Sequence, residues 1–310
     1  MPSKEKLHLD NVDILLIEPD LNMRHSIRNI LSDNGFKSIR LGASLRDIRD
    51  QFATGMPDLM IVESNLPDGD LSDFVASMRH GENGRNPFLP VIAMAWSPTP
   101  EMVRRVVQTG ADDLLSKPLS AGQLITRINA LIRARKPFVV TSDYIGPDRR
   151  GKESRQKSTI PLIDVPNTLR VKATTGRALE EKNIQAAIDT TAGEINTQKL
   201  FRHAVQIRYL VDRLVPAMKM GEIDEASSMS LDRLLYVTQD TARRLVDTRF
   251  EHVSELCQSL IDVTRRIMHS DQANPKDVNL LRPLSQAIQG GFGQDTEDAA
   301  EEITAALKKK

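Results

Sequence analysis

Pro57-Asp58-Leu59-Met60-Ile61-Val62-Glu63-Ser64-Asn65-Leu66-Pro67-Asp68-Gly69 is the stretch on which the reading of this chain turns. Leu59 to Val62 is a short run of large apolar residues, with Pro57-Asp58 before it and the turn formers Asn65, Pro67 and Asp68-Gly69 after it. A run that short, apolar without alternation and punctuated on both sides, predicts a central parallel strand buried on both faces. Glu63 falls at its C-terminal end, where open α/β sheets keep the residues that handle ligands.

The flanking sequence repeats the same grammar. Upstream, Val12 to Ile17 is an apolar run followed by Glu18-Pro19-Asp20. A helix then carries Ile27, Ile30 and Leu31 and stops at Gly35. Ser38 to Leu41 reads as a second strand, and Leu45, Ile48 and Phe52 mark a second helix. Downstream, Phe74, Val75 and Met78 mark a helix, Pro90 to Ala95 a strand, and Met102, Val103, Val106 and Val107 a helix ending at Gly110. Asp113 to Ser116 is a fifth strand, before Lys117-Pro118 and a helix with Leu124, Ile125, Ile128, Leu131 and Ile132. Five strand–helix alternations specify an α/β domain with a parallel sheet, helices on both faces and right-handed crossovers.

Four pieces, taken in order and spacing, resemble the receiver domain of bacterial response regulators over residues 12 to about 133. They are Ile-Leu-Leu-Ile-Glu-Pro-Asp (14–20), Pro-Asp-Leu-Met-Ile-Val-Glu-Ser-Asn-Leu-Pro-Asp-Gly (57–69), Leu-Pro-Val-Ile-Ala-Met-Ala (89–95) and Gly-Ala-Asp-Asp-Leu-Leu-Ser-Lys-Pro-Leu (110–119). The resemblance implies a flavodoxin-like, doubly wound (βα)5 fold. It also assigns positions. Glu63 stands where the family has its Asp phosphoacceptor, and Glu18 and Pro19 where two acids hold Mg²⁺. Ala95 takes the place of a Ser/Thr hydroxyl and Leu114 that of an aromatic switch; only Lys117, followed by Pro118, matches cleanly.

The mismatches point one way. Pro19 offers Mg²⁺ no side-chain ligand, and a hard cation wants several oxygens in near-octahedral order. Glu63 is a methylene too long for in-line attack on a phosphodonor, and Ala95 cannot bond a phosphoryl oxygen. The expectation is a pseudo-receiver that is not phosphorylated by the usual route, with no cofactor and weak or absent Mg²⁺ binding. Glu63 then either mimics a phosphorylated acceptor or pairs with Lys117 as a relic. Lys117-Pro118 is expected to be cis, as at the family's Lys-Pro junction. Trp96 is a partner anchor or, more often for such residues, the cover of a core edge. Ser97 lies two positions from where the missing hydroxyl is needed. By resemblance, the face of the fourth helix, fifth strand and fifth helix (Val103, Val107, Leu114, Leu119, Leu124) meets partners.

Three charge blocks divide the 310 residues. Residues 1–132 carry 14 Lys/Arg against 17 Asp/Glu, residues 133–177 carry 11 against 4, and residues 178–310 carry 17 against 21. The boundaries are read as 1–135 for the receiver-like domain, 136–177 for a basic flexible linker and 178–310 for a helical interaction or dimerisation domain. Pro137, Pro147, Pro161 and Pro166 punctuate the linker, where Phe138 to Thr141 and Ile160 to Val165 are short β-rich pieces. Tyr144 to Arg150 resembles a tail of bacterial receiver proteins, with no role attached. The patch at 152–159 is basic, yet it lacks interleaved aromatics and any helix-turn-helix signal, so nucleic acid is an unlikely partner.

In the helical half, Leu200, Ala204, Ile207, Val211, Leu214 and Met218 form a heptad seam that invites a homodimer. Pro216 is expected to end or kink that helix near Leu214, with Gly221 closing it. Leu179 to Ile188 reads as a separate short helix. Ser230 to Ser270 is one long helix or two joined near Thr248. Asn274-Pro275 opens a further helix that Pro283 kinks, and Asp295 to Lys310 forms a last one. His203, His252 and His269 lack the neighbours of phosphotransfer modules and are read as exposed helix-face residues, and Cys257 as a small core hydrophobe. One cysteine, no membrane-length apolar run and a polar start at Met1 to Asp13 lead to an expected cytoplasmic location. The functional expectation is a non-enzymatic signalling adaptor that binds other signalling proteins. The alternatives are a phosphorylatable two-component response regulator with a helical output, or a nucleic-acid-binding regulator acting through the linker.

Overall fold

A computed structural model describes residues 7–151, 160–176, 181–219, 224–270 and 273–293. The chain divides into two compact units, Met1–Gly193 and Glu194–Lys310.

In the first unit, β1 (Asp13–Ile17), β2 (Ser38–Gly42), β3 (Leu59–Glu63), β4 (Val91–Trp96) and β5 (Asp113–Lys117) form one parallel sheet in the order β2-β1-β3-β4-β5. Between them run α1 (Leu21–Asp33), α2 (Leu45–Thr54), α3 (Leu71–Arg79) and α4 (Pro100–Gln108), and α5 (Ala121–Ala134) follows β5. Alternation along the strands divides the core between two faces. Ile14, Leu16, Leu59 and Ile61 pack with Ile27 and Leu31 of α1 and Leu124 and Ile128 of α5. Leu15, Ile17, Met60 and Val62 pack with Ile48 of α2, Phe74 of α3 and Val106 of α4. Each such side chain contributes about 1.5–3 kcal/mol by leaving water, so a strand buried on both sides is pinned in register.

Helix starts follow local chemistry. Asp20 caps α1 by accepting from Met23 N, Thr99 caps α4 with Pro100 in its first turn, and Ser120 and Gln123 form a capping box on α5. Asp68 reaches back from the loop after β3 to accept from Leu45 N and Arg46 N, tying that loop to the start of α2.

The basic segment after α5 is built into the first unit, which corrects the reading of 136–177 as a solvated linker. β6 (Phe138–Val140) pairs antiparallel with β7 (Ile145–Pro147), and Phe138 bridges to Ile163. The reason is charge pairing that composition hides. Asp112 receives Arg79 Nη2 at 3.1 Å and Arg135 Nε at 2.7 Å, and both guanidiniums lie over the Phe138 ring, 5.3 and 5.1 Å from its centroid. Arg149 donates to the carbonyls of Ala111 and Asp112. The backbones close in so far that a Cβ on Gly110, whose φ is +91°, would lie 2.6 Å from the Ile145 carbonyl oxygen. Further on, α6 (Thr168–Thr175) buries Leu169 and Ala173 in the α1/α5 face of the core. Asn167 Nδ2 donates to Leu131 O, and Lys172 pairs with Asp58 at 2.8 Å. Residues 152–159 lie outside the described residues.

In the second unit the heptad seam is spent within the chain. α7 (Glu181–Lys219), which continues from the first unit, α8 (Glu225–Leu245), α9 (Ser254–Met268) and α10 (Pro275–Gly290) share one core. It takes in Leu200, Ala204, Ile207, Val211, Leu214 and Met218, so these residues are not a free dimer seam. α7 is a single helix, where the sequence predicts two, and it runs past Pro216 to Lys219. Pro216 and Asp212, whose carbonyl the proline leaves without a helical donor, are both exposed, so water can satisfy that carbonyl. The same holds for Pro283 and Asn279 in α10, which continues to Gly290. The pattern from Ser230 to Ser270 resolves into α8 and α9 with Thr248 in the junction. Gly221 and the helix expected over 295–310 lie outside the described residues, as does the start of the one expected at Leu179. No helix among the described residues is long and apolar enough to cross a membrane.

His203 corrects another expectation. It is fully buried, 3.3 Å from Thr241 Oγ1 through Nδ1 and 3.7 Å from Asp240 Oδ2 through Nε2. Its place on α7 beside the apolar seam turns it toward α8, whereas His252 and His269 are exposed as expected. Cys257 is buried in the core.

Candidate functional site

Three strand ends converge on one nitrogen. Glu18 follows β1, Glu63 ends β3 and Lys117 ends β5, and all three are buried. Lys117 Nζ lies 2.7 Å from Glu18 Oε2 and 2.5 Å from Glu63 Oε2. The remaining carboxylate oxygens are occupied as well. Glu63 Oε1 accepts from Ser64 Oγ and Asn65 N, each at 3.0 Å, and Glu18 Oε1 accepts from Asp20 N at 3.1 Å. Such charge-assisted bonds are the stronger kind, and burial removes competing water.

The other assigned positions supply no chemistry here. Pro19 is exposed, and Asp20 spends its carboxylate on capping α1 at 2.7 Å. Ala95 is buried in β4 beside Ser116 of β5 in register, and Leu114 is half-buried against the α2/α3/α4 face of the core. Ser97 is exposed, with φ at 41°. The Lys117-Pro118 peptide bond is cis.

This donor set does not fit the Mg²⁺ that the receiver fold implies. A magnesium ion needs about six oxygens near 2.0–2.1 Å. Both oxygens of Glu18 and Oε1 of Glu63 hold hydrogen bonds, Glu63 Oε2 is held only by its ion pair with Lys117, and Pro19 has no side-chain oxygen to give. No cluster of three or more His, Cys, Asp or Glu able to hold a metal occurs among the described residues.

The partner of Trp96 lies on a different strand, out of reach of any local sequence signal. Trp96 and Lys117 are register neighbours on β4 and β5, and the ammonium lies 5.1 Å from the indole centroid. A desolvated cation–π contact of this kind contributes about 0.5–2 kcal/mol. On the expected partner face, Val103 is exposed and Val107 and Leu119 are half-buried. Leu124 does not belong to that face: it is fully buried, because its side of α5 is the one laid on the sheet.

Residues 14–129 match the family model of the response regulator receiver domain. The chain is 28% identical over 127 residues to the phosphate regulon transcriptional regulatory protein PhoB of Escherichia coli (strain K12), which covers 41% of this chain and 54% of PhoB. It is 31% identical over 138 residues to the swarming motility regulation protein RssB of Serratia marcescens, covering 44% and 59%. It thus spans little more than half the length of these relatives. Among solved structures, the chemotaxis protein CheY4 of Vibrio cholerae is similar at 20% identity and a TM-score of 0.35, over 38% of this chain and 96% of that one. Sheet order, strand-end lysine and family match agree: residues 14–129 of this chain are a receiver domain of the response regulators of two-component signalling.

Proposed function

We propose that this chain is a non-enzymatic signalling adaptor whose receiver is a pseudo-receiver, held in one state and acting through protein–protein contact. The observation that supports this reading is the saturation of Lys117 by Glu18 and Glu63. A phosphoryl group would need that lysine and a metal, and here the lysine's charge is already spent on two buried carboxylates. Glu63 supplies a permanent negative charge at the position where the family creates one transiently. Partners, in this reading, are other signalling proteins meeting Val103, Val107 and Leu119, with duplex DNA as a control ligand expected not to bind.

Trp96, the only tryptophan of the chain, gives a direct test because it lies against Lys117. Its fluorescence in the full chain is expected to stay flat across a Mg²⁺ titration, with Ca²⁺ as ionic-strength control. A saturable, Mg²⁺-specific change would refute the reading.

A further inference from the structure

We infer that Trp96 is a fixed lid on the Lys117 cluster, a positioning residue that keeps the ammonium dry between its two carboxylates. This rests on the pseudo-receiver reading and goes beyond it, because lost acceptor geometry does not by itself close a site. Trp96 is 55% exposed, whereas its register neighbour Lys117 is only 2% exposed. An ammonium has three N–H donors. Two carboxylate oxygens, on Glu18 and Glu63, bind the nitrogen, and the indole lies over it as a third wall. A large apolar ring that stays half in water while covering a buried charge protects that charge rather than filling a core.

The turn that follows the ring's strand is built to hold it. Ser97 turns back at once with φ of 41°, in the left-handed region. Pro98 and Pro100 flank Thr99, whose hydroxyl accepts from Met102 N to start α4. Two prolines and a helix cap leave this short connection little conformational freedom. Trp96 therefore sits over Lys117 by construction of the β4–α4 turn.

The test is the reactivity of Lys117 in the full chain. Reductive methylation with formaldehyde and cyanoborohydride is followed residue by residue by peptide mass mapping, with the exposed Lys37 and Lys136 as internal standards. Lys117 is expected to be protected in the wild type and in Trp96→Phe, which keeps an aromatic face. In Trp96→Ala and Trp96→Leu its rate should rise on the order of tenfold or more relative to the standards, because reaction no longer waits for local opening. Melting temperatures of all four proteins separate this from global unfolding, and the leucine variant keeps enough apolar bulk to fold if the alanine variant does not. Equal protection of Lys117 in the Leu and wild-type proteins would overturn the lid, as would a wild-type rate matching Lys37. Phosphoryl transfer onto the wild type would instead overturn the pseudo-receiver reading, so the two failures are distinguishable.

Discussion

Glu63 and Lys117 are joined at 2.5 Å across the end of the sheet, both buried, with Glu18 on the same ammonium at 2.7 Å. In the pseudo-receiver reading proposed above, this contact makes a structural ion pair of the lysine that matches a receiver's phosphate site. Its energetic asymmetry is what makes it testable.

Lys117→Met should cost far more than Glu63→Gln. The amide that replaces the Glu63 carboxylate still presents an oxygen to the Lys117 ammonium, which keeps its hydrogen bond to Glu18, so that loss should be about 1–2 kcal/mol. Removing the lysine leaves two buried carboxylates facing each other, which should cost about 3–5 kcal/mol. Urea melts of both variants at neutral pH check the order.

The Arg79–Asp112–Arg135 network should hold the β6–β7 hairpin to the receiver. Burial pushes the Arg79 guanidinium down to about 10, against the pull of Asp112, so it stays charged at neutral pH. Asp112→Asn leaves two guanidiniums without their carboxylate and should cost about 3–5 kcal/mol. Gly110→Ala should detach the hairpin more selectively, because its Cβ meets the Ile145 carbonyl oxygen at 2.6 Å. Hydrogen exchange of residues 138–147 should accelerate in both variants.

Cys257 should be inert in the folded protein. Burial pushes its thiol up to about 12, and it lies in the core of the second unit. A thiol-reactive dye at pH 8 should label the native chain slowly and the urea-unfolded chain at once. Fast native labelling would mean that this core opens readily.

Asp240 should make the second unit acid-sensitive. Burial pushes its carboxyl up, but Arg244 at 2.9 Å outweighs this, helped by His203 and Arg243, and the net shift is well below the usual carboxylate range. A depressed folded pKa contributes stability above the unfolded value near 3.9, lost as pH falls through the folded one. Asp240→Asn should be less stable at neutral pH, and the difference from wild type should shrink below about pH 4.

Much of the receiver was legible because its signals are local. Apolar runs of four to six residues and turn chemistry placed β1 to β5 within a residue or two, and apolar spacing marked the faces of α1 to α5. Glu18, Glu63 and Lys117 could be set side by side because strand ends converge in any parallel sheet. What stayed hidden depends on tertiary partners. The segment after α5 looked solvated because Arg135, Arg149 and Lys172 count as surface charge until Asp112, two backbone carbonyls and Asp58 are found beneath them. Leu124 and His203 were misjudged for a related reason, since helical periodicity marks a face without saying what it packs on. The contact of Trp96 with Lys117 needed the β4–β5 register, which no single strand encodes.

Phosphoryl labelling of the full chain by a small phosphodonor such as acetyl phosphate, with Mg²⁺ present and intact-mass and peptide mapping as readout, puts the pseudo-receiver to its hardest trial. With Glu18 and Glu63 holding Lys117, and Pro19 and Ala95 in the flanking positions, the chain should acquire no phosphoryl group above a Mg²⁺-free control. Mg²⁺-dependent, near-stoichiometric modification mapping to Glu63 or its neighbours would contradict that, and the adaptor reading with it.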